Sequence, residues 1–170
     1  MPRIFVRKYS PDWGSHFPVL IKILEVSDGT VLELGTGVFS TPLLHTLCQV
    51  RNRQLVSYES DPYYVERHSD FITPLHQINL VTNWDDVKIE DTLWDVAFID
   101  HKPERRRKIE VERLANTAKY IILHDSETRN DKLYKYSETY SLFKYRFDYT
   151  ACYPHTTVLS NLIDLSKLAI

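Results

Sequence analysis

The amino-acid sequence predicts a single doubly wound α/β domain whose sheet is mostly parallel and ends in an antiparallel C-terminal hairpin. Three observations carry this prediction. The run Val31-Leu32-Glu33-Leu34-Gly35-Thr36-Gly37 reads as a buried strand that breaks at two glycines, after which apolar residues resume at helical spacing. Further short apolar runs alternate with helical stretches, the order that builds a parallel sheet. Near the end, Tyr145–Tyr149 and Thr156–Ser160 read as two strands joined by Ala151-Cys152-Tyr153-Pro154-His155. A chain of 170 residues with 43% hydrophobic and 26% charged residues suits one globular domain and leaves no length for a separate substrate domain.

Residues 1–29 are expected to form a cover segment. Its Trp13-Gly14-Ser15-His16 leads into Val19–Leu24, an apolar stretch that predicts a helix with Pro18 near its first turn. Ser27-Asp28-Gly29 is a turn that delivers the chain into the first strand. At Gly35 and Gly37 the missing Cβ atoms let backbone approach a bound molecule, and the free N–H groups of the next helix face it. That helix is expected from Ser40 to Gln49, with Pro42 in its first turn.

The second strand, Leu55–Tyr58, stops at Glu59. An acidic residue about 20 residues after such a glycine turn, at a strand's carboxyl end, is placed to accept hydrogen bonds from both hydroxyls of a ribose. Asp61 is a plausible cap and Pro62 a first-turn residue for a helix reaching about Ser69. Gln77–Thr82 alternates polar and apolar residues as a third strand and runs into Asn83-Trp84-Asp85-Asp86. The fourth strand, Trp94–Asp100, is nearly continuous in apolar character, which implies burial on both faces. A charged helix follows to about Ala118, in which Glu104 and Lys108, and Arg106 and Glu110, are spaced to pair. The fifth strand, Tyr120–Leu123, ends in His124-Asp125-Ser126-Glu127, and Glu127–Leu142 reads as a polar helix carrying Tyr134, Tyr136 and Tyr140.

Composition narrows the function classes. Lys and Arg number 21 against 23 Asp and Glu, a formal charge of −2, so no global basic field points to nucleic acid. No long apolar run or leader-like pattern points to a membrane, and a cytoplasmic protein is expected. Cys48 and Cys152 lack metal-type spacing and are expected to be reduced thiols.

On Val31–Thr41, Glu59 and Phe98–His101 the sequence resembles the class I methyltransferases that use S-adenosylmethionine, whose sheet is Rossmann-like and closes with an antiparallel hairpin. The resemblance implies that Glu33, Gly35, Thr36, Gly37, Ser40, Glu59, Ser60 and Asp100 contact the cofactor. It further implies that Asn83, Trp84 and Asp85 are the candidates to border the adenine, with the acidic position open between Asn83 and Asp85 and Trp84 equally a loop anchor, and that Trp13, Ser15 and His16 close over the amino-acid end. Packing of Trp13 and His16 is the equal alternative. Phe98-Ile99-Asp100-His101 and Leu123-His124-Asp125 are similar to the catechol O-methyltransferase type, which implies a reaction side made of Asp100, His101 and Asp125. In that type a divalent metal such as Mg2+ orients a hydroxyl acceptor; Asp100 and Asp125 would be ligands, but Ser126 stands where the family has Asn. The implied function is methyl transfer to a small-molecule acceptor, a hydroxyl in the catechol comparison. Two alternatives remain open: an NAD(P)-dependent oxidoreductase using the same turn, although Ser40 replaces the third glycine of G-x-G-x-x-G, and a non-catalytic cofactor-binding protein.

Overall fold

The structure, a computed structural model, describes residues 10–170; the first nine residues of the expected cover segment lie outside the described residues. Seven strands form one sheet: β1 (Val31–Leu34), β2 (Leu55–Glu59), β3 (His76–Leu80), β4 (Trp94–Ile99), β5 (Ala118–His124), β6 (Tyr145–Tyr149) and β7 (Thr156–Ser160), in the order β3-β2-β1-β4-β5-β7-β6. The first five are parallel, while β7 runs antiparallel to both β5 and β6. Around them lie α1 (Phe17–Glu25), α2 (Ser40–Val50), α3 (Pro62–Arg67), α4 (Arg107–Leu114) and α5 (Asp131–Tyr134).

The sheet is covered on both faces, which is why β4 reads as an unbroken apolar run. Val96 and Phe98 join Val19, Leu20 and Ile23 of α1 and Leu44 and Cys48 of α2. Ala97 and Ile99 point the other way, into a core shared with Trp84, Val111 and Leu114. Period-two alternation therefore delivers one strand to two cores. Cys48 and Cys152 are free thiols.

The element boundaries depart from expectation in several places. The third strand is His76–Leu80, α3 ends at Arg67, and the charged helix stops at Leu114 so that β5 begins at Ala118. Arg106 does pair with Glu110 at 3.1 Å, but Lys108 reaches Glu138 instead of Glu104. Glu127–Leu142 is not one helix. Lys135 takes a left-handed conformation (φ 56°) after α5, and three-residue 3-10 turns make up most of the remainder. The cause is packing: Tyr134 and Tyr136 both bury their rings, stacked with centroids 5.3 Å apart, and a regular helix cannot turn residues two apart to one face.

Candidate functional site

The sheet order changes direction at β1, with β2 on one side and β4 on the other. At such a switch point the strands' carboxyl ends leave a crevice, the usual place for a ligand in an open α/β sheet. A cavity of about 810 Å³ opens there. Its walls are Thr36, Gly37 and Ser40 from the turn, Glu59 to Pro62 and Tyr64 beyond β2, and Asp100 to Lys102 and Glu104 beyond β4. Arg107, His124, Asp125 and Tyr134 form the far end, where the His16 ring packs on His124, and Trp13, Tyr153 and Pro154 also line the cavity.

The two glycines of the turn serve different ends. Gly35 has φ 92°, and a Cβ there would lie 2.6 Å from the His101 Cα. The close approach that requires glycine at Gly35 is therefore to the backbone leaving β4; Gly35 itself does not line the cavity, contrary to the expectation of ligand contact. Gly37 does line it, and a Cβ there would meet only the Ser40 Oγ, at 3.0 Å. Glu59 binds this turn to the end of β2. Its Oε2 accepts the Thr36 N–H at 2.8 Å, and its Oε1 accepts the N–H groups of Ser60 and Asp61 at 2.7 and 2.8 Å. Ser60 lies beside it on the cavity wall, and Asp61 caps α3 by accepting from the Tyr63 N–H.

Glu33, expected at the cofactor, lies beneath the turn and is not among the residues that line the cavity. It is fully buried and accepts from the Ser40, Thr41 and Ser57 hydroxyls at 2.7, 3.0 and 2.6 Å. Burial pushes its carboxyl up to about 7, although the three hydroxyls oppose the rise. A chain of polar contacts leads away from it: Ser57 Oγ lies 2.9 Å from His76 Nε2, and His76 Nδ1 lies 3.1 Å from His45 Nδ1. With Glu33 ionised the pattern is satisfied when every group donates toward it, from His45 through His76 and Ser57.

At the far end the structure gathers Asp100, His124, Asp125, Arg107 and Tyr134. His124 Nδ1 is 3.4 Å from Asp100 Oδ2, and its Nε2 is 3.0 Å from the Ser15 hydroxyl. Burial alone would lower the His124 imidazole, but Asp100 and then Asp125 raise it above the usual value. Arg107 contacts Asp100 Oδ1 at 2.8 Å and Asp125 Oδ2 at 3.2 Å, and Asp125 also accepts from the Tyr134 hydroxyl at 2.9 Å. Against the opposing effect of burial, Arg107 and His124 hold the Asp100 carboxyl well below the usual carboxylate range. His16 packs its ring 4.8 Å from both Phe98 and His124, and burial, with His124 beside it, lowers it to about 3. Ser15 sits behind His124 rather than on the cavity wall, so its expected cofactor contact is replaced by one to that imidazole.

Three other expected site residues direct their side chains elsewhere. The His101 ring, expected on the reaction side, turns away into the core: it packs on Trp84 at 4.2 Å, with its Nε2 3.4 Å from Glu110 Oε2. The alternation that sends Ala97 and Ile99 into that core carries His101 with them. Trp84 is buried and does not border the cavity; its indole N–H donates to the Lys102 carbonyl at 3.0 Å and so supports the loop that does. Asn83 uses its side chain to accept the Asp85 N–H at 3.2 Å.

Asp100 and Asp125, the residues expected to hold a divalent ion, converge with His124, each of the three offering an atom within 4.8 Å of the others. They do not fit a resident ion as they stand. The Arg107 guanidinium already bonds both carboxylates, and the Ser126 hydroxyl is engaged at 2.9 Å by that of Thr157. His124 and Tyr134, central to this end, stand out in the sequence at a strand end and in a tyrosine-bearing segment, but neither was expected as a site residue. Arg107 lay within the Arg105-Arg106-Arg107 run.

No protein-family model and no curated protein matches the sequence. Solved structures do match. A cofactor-bound protein from MTB superimposes with a TM-score of 0.66 at 16% identity, covering 96% of this chain and 84% of that one. An S-adenosylmethionine-dependent O-methyltransferase from Thermotoga maritima gives 0.63 at 13% identity, covering 93% and 68%. The human methyltransferase 10 domain containing protein gives 0.62 at 11% identity, covering 96% and 88%. The strand order, the closing antiparallel strands and these likenesses agree: the chain has the fold of the class I S-adenosylmethionine-dependent methyltransferases.

Proposed function

We propose that the protein binds S-adenosylmethionine in this cavity and transfers its methyl group to a small-molecule acceptor. The observation that carries the reading is that one cavity joins the Thr36–Gly37 turn and Glu59 to a charged end made of Asp100, His124 and Asp125. Glu59 faces the cavity while its backbone donors fix its position, as a ribose-binding carboxylate requires. Ser60, Tyr64, Lys102 and Glu104 continue the wall from there, and Trp13 and His16 line it as well.

S-adenosylmethionine, when bound, supplies a methyl group already activated on a sulfonium, so the protein must chiefly align the acceptor and exclude water. His124 is the base in this reading. Asp100 holds its Nδ1–H, and Nε2, which faces the Ser15 hydroxyl at 3.0 Å, becomes the proton acceptor once Ser15 releases it. For an acceptor X–H, bound S-adenosylmethionine would supply the methyl group and keep the bonding pair on its sulfur, while His124 Nε2 would take the acceptor's proton in place of its contact with Ser15. Asp100 takes part by orienting His124 and Asp125 by anchoring Arg107, so both stay on the reaction side as positioning groups.

The oxidoreductase alternative has less support, because Ser40 occupies the third glycine position and its hydroxyl donates to Glu33. No helix among the described residues is long and apolar enough to cross a membrane. We place the activity in the cytoplasm, in keeping with the free thiols of Cys48 and Cys152. Incubation with methyl-labelled S-adenosylmethionine and a panel of small hydroxyl and amine acceptors tests the reading. Label transfer that is lost in His124→Gln is expected; cofactor binding with no transfer to any acceptor class would favour the non-catalytic alternative.

A further inference from the structure

Resting on the methyl-transfer reading above, we infer that Arg107 is the fixed cation of the reaction end, that this end works without a divalent metal, and that its acceptor presents a single nucleophilic atom rather than a chelating pair. Two carboxylates at neighbouring strand ends repel each other unless a cation lies between them. Here the cation is part of the chain. Arg107 is buried at the start of α4, and its Nη2 contacts Asp100 Oδ1 while its Nη1 contacts Asp125 Oδ2. The guanidinium also donates from Nε to the His101 carbonyl at 2.8 Å and from Nη2 to the Asp100 carbonyl at 3.0 Å. Its face lies 4.7 Å from the Tyr134 ring centre, so it is held by packing as well as by charge.

The geometry leaves little for an acceptor to bind. A guanidinium has five N–H donors; the His101 carbonyl, the Asp100 carbonyl and carboxylate oxygens and Asp125 engage four of them, and the buried Tyr136 hydroxyl adjoins the guanidinium as well. One remaining N–H cannot grip two adjacent oxygens, as a metal ion grips a vicinal diol, and a bidentate contact needs two parallel N–H groups. A divalent ion would have to displace this guanidinium from both carboxylates, or share their oxygens with it at a cost in repulsion. His124 also lines the cavity, and with Nδ1 held by Asp100 only Nε2, once released by Ser15, can take one proton from one atom. The acceptor class that fits is therefore a lone hydroxyl or an amine, and a neighbouring second hydroxyl brings no advantage.

Manganese titration followed by electron paramagnetic resonance, on the intact protein with S-adenosylhomocysteine present, tests this. The expected result is no saturable uptake at Asp100 and Asp125: the free-ion signal stays undiminished, or any uptake survives Asp100→Asn and Asp125→Asn and so lies elsewhere. Saturable uptake that either substitution abolishes would overturn the assignment. Arg107→Met should open the site, so that manganese raises its melting temperature while leaving that of the parent unmoved. If Arg107→Met does not fold, the titration of the parent still decides. Binding of S-adenosylhomocysteine, measured beside it by calorimetry, keeps the two readings apart: its absence sinks the methyl-transfer reading, whereas manganese uptake at the carboxylates sinks only the role of Arg107.

Discussion

The backbone N–H of Thr36 donates to Glu59 Oε2 at 2.8 Å, so the turn after β1 and the acid that ends β2 form one rigid piece. Ser60 and Asp61 hold the other carboxylate oxygen. Truncation to Glu59→Ala leaves three backbone donors without their acceptor and removes the proposed ribose contact. Calorimetry should show weaker binding of S-adenosylhomocysteine by on the order of 1.5–3 kcal/mol, the range for hydrogen bonds to a charged group. Thermal unfolding should show a lower midpoint as well, because the turn loses its anchor.

The glycines of the turn should separate stability from binding. Gly35→Ala places a Cβ against the His101 backbone in a left-handed conformation, so the protein should lose on the order of 1–3 kcal/mol of stability or more. Gly37 has no positive φ and its Cβ would meet only a serine hydroxyl. Gly37→Val should stay folded and lose cofactor affinity, because the side chain enters the cavity. Chemical denaturation and calorimetry on both variants check the contrast; equal losses of stability would contradict it.

The His124–Asp100 contact predicts a pH profile. A base must be unprotonated, and Asp100 raises His124 above the ordinary imidazole value, so transfer should rise with pH along a limb centred above about 6.5. Asp100→Asn removes the charge that raises it, and the limb should move to lower pH. His124→Gln should lower the rate by roughly 10²–10⁴-fold, the range for a general base, with little change in cofactor affinity. A profile that stays in place in Asp100→Asn would remove His124 from the role of base.

The polar chain under the turn predicts a pH dependence of stability. Burial and then His45 lower His76 to about 4 in the folded state. Between that value and about 6.5 the unfolded chain binds the extra proton, so this contribution is present above about pH 6.5 and lost as pH falls toward 4. Glu33 has the opposite sign: raised to about 7, it contributes stability at low pH that is lost as pH rises through 7. Denaturation of His76→Gln at several pH values should show a shallower acid loss than the parent, by on the order of 1–3 kcal/mol across the window. In Glu33→Gln, stability relative to the parent should improve as pH rises from about 5 to 8.

Much of this architecture was legible because local rules and the tertiary fold agree. β4 had to be buried on both faces, the glycine pair had to make a tight turn, and Glu59 fell at the right distance beyond it. The errors came where a side chain's direction depends on distant partners. His101 follows a strand end and looked like its neighbour Asp100, yet alternation sends the His101 ring and the Asp100 carboxylate to opposite faces. Trp84 and Asn83 sit at the expected junction, but the indole is drawn into the core by His101 and Lys102. The Glu127–Leu142 segment carries no strong helical period, and the burial of Tyr134 and Tyr136 decides its shape. Arg107 could be read as a charge but not as the group that joins two strand ends, because that contact is made across the fold.

The most direct measurement is calorimetric titration of the protein with S-adenosylhomocysteine and, separately, with NAD. The structure's cavity, with Glu59 fixed beside Gly37, predicts a single-site isotherm with S-adenosylhomocysteine, weakened in Glu59→Ala, and no saturable heat with NAD. Saturable binding of NAD without S-adenosylhomocysteine, or S-adenosylhomocysteine affinity unchanged in Glu59→Ala, would contradict it.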